Sequence, residues 1–266
     1  MNIGFIGAGN MTLAIIKGIC NKKVVPVKDM LISNRSLGKL INIKKEYGIK
    51  GTTDNKTVAK KVDILFLCVK PQVLDTVIPE ISKYVKEDAT IVSIAAGKTI
   101  KYLEETFNRE LEIIRVMPNT PALIGEGISA VCLNDKAKKN KERLNSIFEI
   151  LNCLGESEIV DESMIDIVGQ IAGASPAWIS MIIEGMADGA VYEGMSREMA
   201  YRFAAAGVAG AGKLALSIGG NPAVIKDMCS SPKGTTIEGI KVLEEGGIRG
   251  KFMDAVIAAS EKSKRM

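Results

Sequence analysis

The sequence predicts an α/β protein: a doubly wound, mostly parallel sheet in the N-terminal part, followed by an all-helical part. Three observations predict it. Short apolar runs alternate with helical segments up to about residue 160. A glycine-rich turn follows the first of those runs directly. Beyond Asp161 no strand-like run recurs. Continuous apolar runs of this length suit parallel strands buried on both faces. Strands separated by helices imply right-handed crossovers and helices on both sides of the sheet.

The first strand is Ile3–Ile6. It breaks into Gly7-Ala8-Gly9-Asn10-Met11, and an apolar-faced helix runs on to Cys20. This strand, turn and helix form a dinucleotide-binding fingerprint. Gly7 allows the turn, and Gly9 lets backbone N–H groups approach a pyrophosphate at the helix N-terminus. Thr12 stands at the third position, where the strict Rossmann pattern has Gly or Ala. Further strands are expected at Met30–Ser33, Ile64–Cys68, Ile91–Ile94, Ile113–Met117 and Ile128–Leu133. A closing helix over Leu144–Leu154 and an edge strand at Glu158–Val160 complete a Rossmann-type domain over residues 1–160.

Residues 161–266 read as a helical domain. Met164–Tyr192 forms a long helix interrupted near Gly173–Pro176. Helices follow at Arg197–Ile218, Pro222–Met228, Thr235–Glu245 and Lys251–Lys262. Dense small residues, from Gly185 to Gly212, permit close helix approach within the bundle or against a second subunit.

Composition excludes several classes. With 47% apolar and 25% charged residues the chain is globular. A net charge of +4, from 35 basic and 31 acidic residues, is too slight and too evenly spread for a nucleic-acid partner. The densest basic stretch, Lys136 to Arg143, is interleaved with acids and lacks aromatics, so it reads as a solvated face. The five cysteines form no CxxC and read as reduced residues of a cytoplasmic protein. There is no histidine, which removes the commonest metal ligand and the commonest acid near neutral pH, so no metal is expected. The chain enters its first strand almost at once, so no leader is expected. No uncharged run reaches the roughly 18–20 residues of a membrane span, the Phe203–Gly220 stretch being taken as the nearest.

Loops at the strand ends carry the chemistry. Asn34-Arg35-Ser36 follows the second strand, where an NAD-preferring protein places an acid to bind the ribose 2′-OH. Arg35 with small polar neighbours suits a 2′-phosphate, and a charge-assisted hydrogen bond of about 1.5–3 kcal/mol favours NADP, with NAD as the alternative. Val69-Lys70-Pro71, Ala95-Ala96-Gly97 and Met117-Pro118-Asn119-Thr120-Pro121 outline one cleft at successive strand ends. Gly207 to Leu214 nearly matches a phosphate loop, but Leu214 replaces the metal-holding hydroxyl and no strand precedes it. Ser230-Ser231-Pro232-Lys233-Gly234-Thr235-Thr236 joins two helices. Its threonines could cap the second of them, with Glu238 assisting, or its helix N-terminus could receive a small carboxylate.

These segments, in this order and spacing, resemble the 1-pyrroline-5-carboxylate reductase family nearly end to end. The resemblance implies a Rossmann domain, a helical dimerisation and substrate-binding domain, and a homodimer or a ring of five dimers. It implies reduction of the C=N bond of 1-pyrroline-5-carboxylate to L-proline with NAD(P)H, the last step of proline biosynthesis. Gly7, Ala8, Gly9, Asn10 and Met11 would hold the pyrophosphate. Asn34, Arg35 and Asn55 would meet the adenosine ribose or its 2′-phosphate. Val69, Lys70, Pro71, Ala95, Ala96, Gly97 and Asn119 would flank the nicotinamide half. Ser231, Lys233, Gly234 and Thr235 would bind the substrate carboxylate, and the catalytic Thr236 hydroxyl would face the ring nitrogen.

Two positions depart from the family pattern. Lys233 stands where a second glycine is usual, and Ser175 stands where glycine usually precedes Pro176-Ala177-aromatic. These departures leave open a nucleotide-binding regulatory protein, or a reductase of a related cyclic imine. The β-hydroxyacid dehydrogenases share the domain order but need a lysine early in the helical domain, and none lies between Lys141 and Lys213.

Overall fold

The computed structural model describes residues 1–265. The chain divides into two compact units, Met1–Gly173 and Ala174–Arg265. In the first, eight strands form one sheet in the order β3-β2-β1-β4-β5-β6-β7-β8. The strands are β1 Ile3–Ile6, β2 Met30–Ser33, β3 Lys50–Thr52, β4 Ile64–Leu67, β5 Thr90–Ser93, β6 Glu112–Pro118, β7 Gly127–Leu133 and β8 Gly155–Ile159. All neighbours pair in parallel except β6 and β7. The first six strands have the doubly wound order 3-2-1-4-5-6, with its switch point between β1 and β4.

The edge strand β3, Lys-Gly-Thr, is a correction to the sequence reading. It carries no apolar side chain and is mostly exposed, so no hydrophobic run announces it.

Alternate residues of each inner strand feed two cores. On one face Phe5, Ile32, Phe66 and Val92 pack with Ile15, Ile16 and Ile19 of α1 (Asn10–Lys22), Leu40 and Ile43 of α2 (Leu37–Tyr47), and Ile147 and Leu151 of α6 (Lys141–Leu151). On the other, Ile6, Leu65, Leu67 and Ile91 pack with α3 (Asn55–Lys61), α4 (Pro71–Ile81) and α5 (Ile100–Phe107). Phe5 and Phe66 are register partners, and their rings stack with centroids 5.2 Å apart. Each such buried side chain contributes about 1.5–3 kcal/mol, so the strand ends at the switch point are rigidly held.

The sequence changes texture at Asp161, but the first unit extends to Gly173. Residues spaced two apart on β6 and just past its end hold the added segment. Buried Arg115 reaches Glu162 and Asp166 at 3.1 and 3.0 Å. Met117 lies under Gly169, and Asn119 donates to the Ala172 carbonyl at 3.1 Å. Ile165, on the short helix α7 (Ile165–Val168), is fully buried among the second core's residues. The interruption expected near Gly173–Pro176 is a π-helical turn over Gly169–Ala174.

The second unit is helical: α8 Ser175–Tyr192, α9 Arg197–Ser217, α10 Pro222–Met228, α11 Thr235–Glu245 and α12 Ile248–Lys264. Helices α8 and α9 meet through Ala187, Ala200 and Ala204, where small side chains let the backbones approach. The stretch nearest to membrane-spanning length is the helical run Glu162–Tyr192, not Phe203–Gly220, because Ile167 to Ile183 carries no charge whereas Lys213 breaks the latter.

Candidate functional site

At the carboxyl end of β1 the chain must turn sharply into α1. Gly7 makes that turn at φ +105°, and a Cβ there would lie 2.6 Å from the Cys68 carbonyl oxygen, so only glycine fits. The Gly7 amide donates to the Ser33 carbonyl at 2.8 Å, tying the turn to the end of β2. Thr12 does the work of a third small residue in another way: buried, its hydroxyl donates to the Gly7 carbonyl at 2.9 Å.

Gly9 is the N-cap of α1, and a Cβ added there would meet nothing within 4 Å. The backbone therefore faces open space. No side chain caps this 13-residue helix and its first turn holds no acid. Its N-terminal amides and the positive end of its dipole are left to an external anion.

A cavity of about 550 Å³ opens at this place. That volume is ordinary for a cofactor site, which runs roughly 300–1,000 Å³. Gly7, Ala8 and Gly9 line it with Asn34, Arg35 and Lys39 from beyond β2, Asn55 from α3, and Cys68, Val69 and Lys70 from beyond β4. Asn34 braces the turn, its side-chain oxygen accepting the Ala8 amide at 3.2 Å. Lys39 Nζ donates to the Ala8 carbonyl at 3.2 Å, adding a cation beside the turn. Burial pushes the Cys68 thiol up to about 12, against a smaller opposing effect of the Thr12 hydroxyl. Cys68 is thus a protonated, inert wall of the cleft rather than a nucleophile.

The cavity brings together eight of the residues picked from the sequence: Gly7, Ala8, Gly9, Asn34, Arg35, Asn55, Val69 and Lys70. It does not include Asn10, Met11, Pro71, Ala95, Ala96, Gly97 or Asn119. Met11 packs against the core, and Pro71 is the first residue of α4, behind its cap Lys70. Asn119 is nine-tenths buried with both ends of its amide engaged: it accepts from the Ile128 amide at 2.9 Å and donates to Ala172. Its observed work is to brace the segment beyond β6. Sequence reasoning missed Lys39 and Glu80, both on the cavity wall. Lys39, at the third position of α2, carries no signal in the sequence that separates it from a solvated charge. Glu80, the tenth residue of α4, gives no local signal.

The second loop is in the helical unit. Ser231 to Gly234 form a tight turn in which the Gly234 amide donates to the Ser231 carbonyl at 3.0 Å. The N-cap of α11 is Gly234 and no side chain caps the helix. The capping role open to Thr235 and Thr236 is therefore not taken; they occupy the first two helical positions, exposed. Lys233 sits at φ +59°, in the left-handed region that favours glycine. A side chain here costs about 1–2 kcal/mol of backbone strain relative to glycine.

Sheet order, the turn at Gly7 and the cationic cleft together define a Rossmann-type nucleotide-binding protein. The family model for pyrroline-5-carboxylate reductase dimerisation matches residues 162–266, and that for NADP oxidoreductase, coenzyme F420-dependent, matches residues 2–97. Pyrroline-5-carboxylate reductase of Escherichia coli is 40% identical over 264 residues, covering 99% of this chain and 97% of the relative. A solved pyrroline-5-carboxylate reductase from Coxiella burnetii superposes with a TM-score of 0.92 at 31% identity, covering 99% of this chain and 97% of that one. A Plasmodium falciparum pyrroline carboxylate reductase with NADP bound superposes at 0.86 and 30% identity, covering 100% and 97%. The chain belongs to the pyrroline-5-carboxylate reductase family.

Proposed function

We propose that this protein reduces 1-pyrroline-5-carboxylate to L-proline, with NADPH as the preferred hydride source and NADH as a second one. The carrying observation is the 40% identity, through 99% of the chain, to an enzyme of that name. The cleft supports the cofactor assignment: its glycine turn leads onto an uncapped helix N-terminus beside Arg35, Lys39 and Lys70. Gly7, Ala8, Gly9, Asn10 and Met11 would hold the pyrophosphate, with Arg35 on the 2′-phosphate and Asn34 and Asn55 near the ribose. Val69, Lys70, Pro71, Ala95, Ala96, Gly97 and Asn119 would border the nicotinamide half, Asn119 through the bracing already described.

A bound reduced nicotinamide would supply the hydride for the imine carbon. The protein's part is to bind, align and exclude water. A cyclic imine is basic enough to arrive as an iminium, so its nitrogen already carries the proton that a histidine would otherwise provide. Ser231, Lys233, Gly234 and Thr235 would receive the carboxylate at the uncapped start of α11, where the helix dipole favours an anion. The Thr236 hydroxyl would orient the ring nitrogen.

We place the protein in the cytoplasm as a homodimer, or a ring of five dimers. The free cysteines support the location. The dimerisation match and the exposed apolar residues of the second unit support the assembly.

The test is loss of reduced-nicotinamide absorbance with 1-pyrroline-5-carboxylate, run with NADPH and NADH in parallel. Turnover with both, faster with NADPH, is expected. Thr236→Ala is expected to lower kcat about tenfold, the worth of one oriented hydrogen bond. A folded protein that binds cofactor without turnover would overturn the reading.

A further inference from the structure

The cavity wall carries an unexpected carboxylate. Dinucleotide-binding folds that prefer NAD place an acid directly after the second strand. Here that position holds Asn34-Arg35, but a carboxylate reaches the same cavity from a different element, Glu80 in the last turns of α4. It is fixed there by a chain of side-chain hydrogen bonds starting at that strand's end. The buried Ser33 hydroxyl donates to Asn55 Oδ1 at 2.8 Å, and Asn55 Nδ2 donates to Glu80 Oε2 at 3.0 Å. Both donors in this relay are neutral. Among the described residues no lysine or arginine forms an ion pair with Glu80, and it is the one carboxylate on a wall that also carries Arg35, Lys39 and Lys70.

Resting on the cofactor reading above, we infer that Glu80 is a specificity-determining residue that limits the preference for a 2′-phosphorylated nucleotide set by Arg35. A 2′-phosphate brings close to two negative charges into a cavity whose wall already holds a carboxylate outside any ion pair. A 2′-hydroxyl brings none and can donate to that carboxylate. Arg35 favours the first ligand and Glu80 opposes it, so the observed ratio is the difference of two electrostatic effects of opposite sign. Asn55 serves as a positioning residue, because its amide is what holds the carboxylate on the wall.

The experiment is calorimetric titration of the full-length wild type and Glu80→Gln with adenosine 2′,5′-bisphosphate and with adenosine 5′-monophosphate, at low and high salt. Glutamine keeps the shape and can still accept from Asn55. Glu80→Gln is expected to bind the bisphosphate about three- to tenfold more tightly, with the monophosphate unchanged or slightly weaker. The gain should shrink as salt screens the repulsion, which a merely structural role would not produce. Parallel changes for both ligands, or a salt-independent change, would overturn the inference while leaving the cofactor cleft intact. Failure of the wild type to bind either ligand would overturn the cleft assignment as well. Ser33→Ala, which loosens the relay without removing the charge, is expected to shift the ratio in the same direction by a smaller factor. No shift in that variant would overturn the positioning role of Asn55.

Discussion

In the first unit each face of the sheet is covered by the chain's own helices, and the large side chains of β1, β4 and β5 are almost wholly buried. In the second, among the described residues only Ala187, Ala200 and Ala204 are buried, while Met181 and Phe203 are 69% and 65% exposed. The helices of the second unit are as apolar as those of the first, yet their apolar faces are not spent on one another. A chain that closes its own core in one half and leaves the other uncovered has placed folding in the first and assembly in the second. Stability of the first unit should then be independent of protein concentration, and that of the second should not.

Four substitutions sharpen or break this contrast. Gly7→Ala should have the largest effect, about 3 kcal/mol or more of lost stability, because φ is positive and a Cβ would meet the Cys68 carbonyl. Its loss in Tm should be the same at every protein concentration, and cofactor affinity should fall with it. Phe203→Glu should weaken self-association by about 2–3 kcal/mol per site, seen by light scattering across a dilution series. Unchanged assembly in that variant would remove the exposed face from the interface.

Arg115→Ala should cost about 1–2 kcal/mol. The guanidinium is buried, but its partners Glu162 and Asp166 are partly exposed and can be rehydrated, so the full cost of a broken buried pair does not apply. Hydrogen exchange should rise over residues 162–173 with the sheet unaffected. Lys233→Gly should have the smallest effect, a gain of about 1 kcal/mol from relief of backbone strain. The same variant shows whether the lysine assists the substrate carboxylate: a raised KM with unchanged kcat says that it does.

The sheet was legible because its strands are continuous runs such as Ile64–Leu67, buried on both faces, and because Gly7-Ala8-Gly9 marks the switch point. The edge strand β3 was not, since Lys50-Gly51-Thr52 pairs through backbone alone. Within the cleft, residues adjacent to strand ends were readable from chain order. Lys39 and Glu80 were not, because a charge on a helix looks the same in sequence whether it faces water or a ligand. Asn119 was found as a strand-end residue but assigned by position. Its amide is engaged by Ile128 and Ala172, contacts 9 and 53 residues away that no local pattern carries. The start of α11 shows a similar limit: two threonines suggested a cap, and the backbone used Gly234 instead.

The distribution of thiols gives the experimenter a handle. Burial raises Cys20, Cys68, Cys132 and Cys153 above the ordinary thiol range, Cys132 to about 11 with Glu162 adding to the effect. The fifth, Cys229, is exposed and immediately precedes Ser230 at the head of the loop running to Thr236. A thiol-directed fluorophore should therefore label this chain at one place without any engineered cysteine. Its emission would report on the loop before α11 while the nucleotide cleft stays chemically untouched.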